Sequence, residues 1–230
     1  MKLKDHKIVQ TEDGSETLFS NKYNENAHSL HGAANETDLH YIQGCQIKER
    51  SSGHKPFNIL EIGFGTGLGF LKTIEALKHQ HVNMTSYEIQ SELIDFFIQQ
   101  NPKFKFSENN NERVLKLNDF TLRIKIGDAR TLIKEETLKY HAIYQDAYSP
   151  RRNPYLWSVE WFADIKKVCD KDVIMSTYSA SSSIRKSMLA AGFKLYAGEK
   201  FGQKRASTRA RLTGESDTEI LEHLERSPVE

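Results

Sequence analysis

Short apolar runs that end in a charge alternate, along most of this chain, with longer segments whose apolar positions recur at helical spacing. "FNILEIG" (Phe57 to Gly63) has the first form and predicts a strand. Leu68, Leu71, Ile74 and Leu77 then mark one face of a helix. "HVNMTSYEI" predicts a second strand ending at Glu88. "SELIDFFIQQN" predicts a helix with Ser91 as N-cap and Pro102 just beyond its end. Lys103 to Asp119 reads as polar and irregular, with a short helix near Glu112 to Leu117. "FTLRIKIGDAR" alternates strictly and is the third strand, and "YHAIYQDAYSP" is the fourth, stopped by Ser149-Pro150. "PYLWSVEWFADIKKVC" is an amphipathic helix with Pro154 at its start, "DVIMSTYS" a fifth strand, and "SSSIRKSMLAAGF" a serine-capped helix closed by Gly192. "FKLYAG" and "RASTRARLT" are two last strands with no helix between them.

Strand and helix in alternation imply right-handed crossovers and a mostly parallel sheet covered on both faces. The final pair adds an antiparallel hairpin at one edge. The expected fold is α/β, with a mostly parallel seven-stranded sheet ending in that hairpin. The core is expected over residues 53–214, preceded by an extension (1–52) that contributes to the site and followed by an acidic tail (215–230).

The turn after the first strand, "EIGFGTG", carries glycines at alternate positions. A dinucleotide fold asks for G-x-G-x-x-G there, and a phosphate loop for a closing Gly-Lys-Ser/Thr. Neither is present. The strand ends in Glu61, whose carboxylate would repel a pyrophosphate, so a ligand with a cation and no phosphates fits better. S-adenosylmethionine, with a sulfonium, an ammonium and an adenosine, is such a ligand. Glu61, Gly63, Gly65 and Gly67 would line its amino-acid end. Glu88 stands 21 residues after Gly67, where it would accept both ribose hydroxyls. Asp128 and Ala129, at the end of the third strand, would meet the adenine. Ligands of open parallel sheets bind at these carboxyl ends. Any one of these acids alone is more simply a helix-start carboxylate. Three at successive strand ends, after such a loop, describe a class I S-adenosylmethionine-dependent, Rossmann-like methyltransferase.

The fourth strand ends in "QDAYSPRRNPYLW". An acceptor amine is nucleophilic only when neutral, and Asp146 is placed to orient it and take its proton, besides bordering the donor. Tyr148 offers an aromatic face to a base or a sulfonium. Trp161 reads as core packing.

"DAYSPRRNPYLW" resembles the D-A-F-S-P-x-x-N-P-x-x-W segment of the tRNA 5-methylaminomethyl-2-thiouridine methyltransferase family. "TEDGSETLFS" is similar to that family's T-x-D-G-S-x-T-L opening, "AHSLHGA" to its H-S-x-x-G-A, and "STYSASSSIRKSMLAAGF" with "KFGQKR" to its fifth-strand, helix and G-x-K-R blocks. Gly69 stands where the family has Asn, and Lys200 where it has Gly. The resemblance implies methyl transfer to the exocyclic amine of 5-aminomethyl-(2-thio)uridine at the tRNA wobble position, with Asp146 and Tyr148 catalytic. It implies His28 and Ser29 as further donor contacts. Ser149, Pro150, Arg151, Asn153, Trp157, Lys204 and Arg205 would contact the anticodon stem-loop. Bifunctional relatives append a flavin oxidase; this chain ends soon after its hairpin, so no FAD is expected. Two rivals share these features: a transferase acting on a small-molecule amine (methyl or aminopropyl), and a non-catalytic tRNA-binding module.

Composition changes this picture only locally. The net charge is +1, yet Lys194 to Arg211 holds six basic residues against one acid, which suits an anionic partner as well as a charged sheet edge. Two widely spaced cysteines, Cys45 and Cys169, argue against a disulfide framework, and no metal is expected. No apolar run suits a signal peptide or a membrane span. The expectation is a cytoplasmic protein, assumed monomeric.

Overall fold

The computed structural model describes residues 3–27, 30–109, 111–199 and 206–227. The chain opens with β1 (His6–Gln10), β2 (Glu16–Ser20) and β3 (Glu25–Asn26), which form a small antiparallel sheet. Next come α1 (Ala33–Thr37), a π-helical continuation (Asp38–Gln43) and α2 (Ile47–Arg50). The main sheet then builds through β4 (Phe57–Ile62), α3 (Leu68–Ala76), β5 (Val82–Glu88), α4 (Ser91–Gln100), β6 (Phe106–Asn109), β7 (Glu112–Leu117) and β8 (Phe120–Ile126). It continues through α5 (Ala129–Leu132), β9 (Tyr140–Gln145), α6 (Val159–Lys167), β10 (Cys169–Thr177), α7 (Ser182–Ala190), β11 (Lys194–Ala197), β12 (Thr208–Arg211) and α8 (Thr218–Arg226).

The order across the main sheet is β11-β12-β10-β9-β4-β5-β8-β7-β6. The five central strands, β10, β9, β4, β5 and β8, are parallel. The α/β class and parallel core expected from the alternation are therefore present, with the terminal hairpin antiparallel at one edge. The strand count differs: among the described residues the sheet has nine strands, not seven. Lys103 to Asp119 is a hairpin, β6 and β7, and Glu112 to Leu117 is strand rather than helix. An edge hairpin needs only one apolar face. Leu115 is buried against Leu122 while Lys116 faces solvent, so a largely polar composition concealed a period of two. Two further readings shift. Pro154–Trp157 is a separate 3-10 turn, and Ser158 caps α6 by accepting from the Trp161 N–H at 3.2 Å. The acidic segment read as a tail contains α8, whose Ile220 and Leu224 join the same core as Met188 and Leu195.

Alternation along the strands divides the interior in two. Leu60, Ile62 and Ile143 face a core shared with α6, α7 and α8, whereas Phe57, Ile59, Met84 and Tyr144 face a core shared with α3 and α4. Continuing the second set in steps of two reaches Glu61 from Ile59, Asp146 from Tyr144 and, by way of Ser86, Glu88 from Met84. The pleat thus delivers these three acids to one face at the carboxyl ends of neighbouring strands.

The small N-terminal sheet is fastened to that face by the turn "TEDGS". Ser15 Oγ accepts from the backbone N–H groups of Ala33 (3.1 Å) and Ala34 (3.2 Å), and Asp13 Oδ2 accepts from that of Asn35 (3.2 Å). These are the donors that a helix start leaves unsatisfied. The turn therefore caps α1 from outside the helix, and Asp13, bonded by Thr11 and Ser15, is held well below the usual carboxylate range.

Candidate active site

A cleft of about 230 Å³ opens at the carboxyl ends of β4, β5, β8 and β9. It lies where the chain order reverses between β4 and β9. Glu61 forms part of its floor and is almost fully buried. Its Oε2 accepts from Ser86 Oγ at 2.5 Å across the β4–β5 pair. A Cβ at position 69 would overlap Glu61 Oε1, so the glycine there is what lets this carboxylate lie beneath the start of α3. Gly63 has φ +98°, and a Cβ there would come within 2.8 Å of the Asp146 carbonyl oxygen. Gly65 and Gly67 complete the turn; the Gly65 N–H donates to Glu88 Oε2 (3.0 Å) and the Gln90 N–H to Glu88 Oε1 (2.9 Å). Glu88 also lines the cleft. Ser91 is the first residue of α4 rather than its cap, Gln90 being the N-cap.

Asp128 and Ala129 also line the cleft. Asp128 caps α5 through the Arg130 N–H (2.9 Å), and its Oδ2 accepts from the Arg130 guanidinium at 2.6 Å. Bonding from Arg130 holds its pKa below the ordinary value. In this arrangement its carboxylate faces Arg130, which in turn lies over the ring of Tyr155 at 4.8 Å. The Arg130–Tyr155 pair, with Asn153 and Leu156, forms one wall of the cleft.

Asp146 follows β9. Burial, with the nearby charge of Glu36 adding to it, pushes its pKa up to about 8, against the opposing effect of a 2.6 Å hydrogen bond donated by Tyr41 Oη. Burial likewise raises Glu61 well above, and Glu88 above, the carboxylate range. Three carboxyl groups held uncomfortably on one cleft favour a bound cation, which would stabilise their ionised forms. A sulfonium and an ammonium flanked by hydroxyl groups meet that requirement, and the apolar Ile89 and Ala129 suit a purine ring.

A second, smaller cavity of about 120 Å³ shares Ala27, Asp146 and Tyr148 with the first. It is otherwise lined by Glu25, Asn26, Glu36, Thr37, His40, Tyr41 and Tyr178. Tyr148 stacks on Tyr23 at 4.4 Å between ring centroids, so one of its faces is already covered. Ser149 is held by Glu25, whose Oε2 accepts from the Ser149 hydroxyl (2.8 Å) and N–H (3.3 Å). Pro150 and Arg151 lie on the loop beyond, with Arg151 and Arg152 exposed. Asn153 lines the larger cleft. Trp157 lines neither cavity: it is buried behind the loop, donating to the Tyr148 carbonyl (2.8 Å), and its edge meets Tyr178. Trp161 is also buried, as core packing requires, and donates to Gln145 Oε1 (3.1 Å).

His28, Ser29, Lys200, Lys204 and Arg205 lie outside the described residues. The rest of the basic strip is largely engaged. Arg209 is 3.9 Å from Glu199, and Arg211 donates to Gln46 and lies over Tyr196. The terminal hairpin borders β10 alone, not β9. The pairing of Ala197 with Thr208 and of Thr208 with Thr177 sets the end of β11 and the start of β12 at the carboxyl end of the parallel strands. Arg185, buried in α7, anchors the start of β12 through Thr208 Oγ1 (2.8 Å) and the Ala206 carbonyl (3.1 Å).

Sequence reasoning missed Tyr23, Glu25, Glu36, Tyr41, Arg130 and Tyr178. Only Arg130 had a local signal, two residues after Asp128. The others reach the site from the N-terminal extension or across β10, and no spacing rule links them to Asp146.

Comparison with known proteins agrees with this geometry. Residues 90–213 match a family described as S-adenosyl-L-methionine-dependent methyltransferase. A curated relative, the tRNA 5-methylaminomethyl-2-thiouridine biosynthesis bifunctional protein MnmC of Burkholderia thailandensis, is 27% identical over 231 aligned positions, 86% of this chain. The chain spans only 34% of that relative's length. The crystal structure of MnmC2 from Aquifex aeolicus superposes with a TM-score of 0.79 at 29% identity, covering 96% of this chain and 76% of that one. Spermidine synthase from Thermotoga maritima shares the fold alone, with a TM-score of 0.63 at 12% identity, over 94% of this chain and 71% of that one. Glycine turn, strand-end acids and matched family together make this chain a member of the S-adenosyl-L-methionine-dependent methyltransferases, of the MnmC methyltransferase-like kind.

Proposed function

We propose that this chain methylates the exocyclic amine of 5-aminomethyl-(2-thio)uridine at the wobble position of tRNA, giving the 5-methylaminomethyl nucleoside. The observation that carries the proposal is the position of Asp146, which belongs to both cavities. A donor in the larger one and an amine in the smaller one meet across this side chain. The name of the Burkholderia relative supplies the nucleoside and the tRNA.

When bound, S-adenosylmethionine supplies an electrophilic methyl group whose C–S bonding pair returns to sulfur as the new N–C bond forms. The protein's own groups do the rest. Glu88 fixes the ribose hydroxyls, and Glu61, Gly63 and Gly65 cradle the amino-acid end. Asp146, oriented by Tyr41, accepts one proton from the incoming ammonium and leaves a lone pair on nitrogen. With its pKa near 8, Asp146 is a stronger base than an ordinary carboxylate. Tyr148 and Tyr178 give the cavity aromatic walls that hold a cation. Arg151, Arg152, Lys204 and Arg205 are assigned to the stem-loop backbone, because a wobble base must be splayed from its stack to reach a strand-end pocket. The reaction belongs to the cytoplasm, where tRNA is modified.

The test is nucleoside mass spectrometry of aminomethyl-bearing tRNA after incubation with protein and donor. A gain of one methyl group at the wobble uridine is expected, and an unchanged nucleoside refutes the reading. The acid-lined second cavity also suits a small-molecule amine. Turnover of a free diamine with no affinity for tRNA would favour that alternative, since tRNA affinity should fall steeply with salt.

A further inference from the structure

Glu36 is the least expected group beside the reaction centre. It sits on α1, 110 positions before Asp146, and is 6% exposed, so its carboxylate is withdrawn from bulk water. It lines the smaller cavity but not the larger one. The charged and titratable groups around that cavity, among the described residues, come from every element packed there. They are Asp146 at the end of β9, Glu25 from β3, His40 one turn further along the same helix with Nε2 3.8 Å from Glu36 Oε1, and the phenols of Tyr41, Tyr148 and Tyr178. No Lys or Arg among the described residues lines it.

The helix is held in place from outside. Asp13 accepts from the N–H of Asn35, the residue before Glu36, and the Glu36 N–H donates to the Gly32 carbonyl at 3.0 Å. A buried carboxylate on a helix capped by another element has little freedom to turn away. A ligand that engages it must therefore come to the cavity.

We propose that Glu36 is the positioning and selecting residue of the acceptor cavity: it binds the substrate's ammonium group beside Asp146 and, with Glu25, excludes acceptors that carry a carboxylate of their own. The inference rests on the function proposed above. An aminomethyl nucleoside enters as a cation, and two carboxylates share its charge until Asp146 takes one proton. Glu36 keeps the nitrogen in reach by a charge-assisted hydrogen bond. A precursor whose amine still bears a carboxymethyl group brings a negative charge into a cavity that already holds three carboxyl groups, and like charges so placed are strongly disfavoured.

The experiment compares wild type with Glu36→Gln and Glu36→Asp in single-turnover methylation of aminomethyl-bearing tRNA, across pH, with donor binding followed by calorimetry. Glu36→Gln should keep the wild-type donor Kd, because Glu36 is not on the donor cleft. It should raise KM for the tRNA by about ten- to a hundredfold. The acidic limb of its pH profile should move to lower pH, because Asp146 loses a neighbouring negative charge. Its preference for the aminomethyl over the carboxymethylaminomethyl nucleoside should narrow. A variant with wild-type KM and an unmoved acidic limb would reduce Glu36 to a packing acid and overturn the proposal, while leaving the function intact. Should Glu36→Gln also lose donor binding, Glu36→Asp decides: the shorter side chain keeps the charge but withdraws it from the ammonium, so a raised KM supports the role and a wild-type KM overturns it. If wild type itself leaves the aminomethyl nucleoside unmethylated, the functional reading fails and this inference falls with it.

Discussion

The two cavities, proposed above to take the donor and the acceptor, are built in different ways. On the donor side, each acid is fastened by groups close to it or on the next strand: Glu88 by Gly65 and Gln90, Glu61 by Ser86, Asp128 by Arg130. On the acceptor side, the fastening spans most of the chain. Tyr41 holds Asp146 from 105 positions away, and Glu25 holds Ser149 from 124. The donor side is thus a property of a strand–turn–helix unit repeated along the sheet, whereas the acceptor side exists only once the N-terminal sheet and α1 have docked. A methyl donor is common to many acceptors, so a locally encoded donor site and a globally assembled acceptor site let one fold serve many substrates.

Breaking the acceptor side at its centre should have the largest effect. Asp146→Ala is expected to lower turnover by roughly 10²-fold or more with donor affinity largely kept, measured by single-turnover rates and calorimetry. Near-normal turnover would show that another group positions the amine. The isosteric Asp146→Asn carries a second expectation. Asp146 has a folded pKa raised from 3.8 to about 8. A carboxyl raised in this way costs the folded state nothing below its unfolded pKa and progressively more as pH climbs toward 8. Asp146→Asn should therefore have a higher Tm than wild type at pH 8–9 and lose that advantage near pH 4. Equal Tm values at both pH values would mean that Asp146 is not strained by its surroundings.

On the donor side, Glu88→Ala should weaken donor binding by about ten- to a hundredfold, since a charge-assisted bond contributes on the order of 1.5–3 kcal/mol. Its tRNA affinity should be unaffected. An unchanged donor Kd would leave Glu88 as a clamp for the glycine turn alone. Tyr41→Phe sharpens the contrast from the other side. The hydrogen bond it removes stabilises the Asp146 carboxylate, so the pKa should rise further and the acidic limb of the rate profile should shift to higher pH. This is opposite to the shift expected for Glu36→Gln. If both variants move the limb in the same direction, the electrostatic account of Asp146 is wrong.

Smaller effects are expected where the halves are merely joined. Ser15→Ala removes a cap shared by two N–H groups of α1, with a cost of about 1 kcal/mol and a fall in Tm of about 2–4 °C. Loss of acceptor turnover should exceed any loss of donor affinity, because α1 carries Glu36 toward one cavity only. Replacing Arg151 and Arg152 together by Ala should reduce the salt dependence of tRNA binding by roughly one unit of slope for each phosphate that is no longer neutralised. A wild-type slope would direct attention to Lys204 and Arg205.

The sequence by itself determined the parallel core, the glycine turn and the acids at the strand ends. These rest on periods of two and of three to four residues and on turn chemistry within a few positions of each acid, all of which are local. Glu61, Glu88 and Asp146 could be placed from the strands that carry them. The tertiary structure decided the rest. It turned a polar stretch into the β6–β7 hairpin, because an edge hairpin needs only one buried face. It held the Asp128 carboxylate against Arg130 and put Trp157 behind the loop rather than in a cavity. It also brought Tyr41, Glu36 and Glu25 to Asp146, making a second cavity beside the first. Contacts more than 100 positions apart leave no periodic trace, because the chain closes them only when hydrophobic docking of whole elements offsets the entropy of so long a loop.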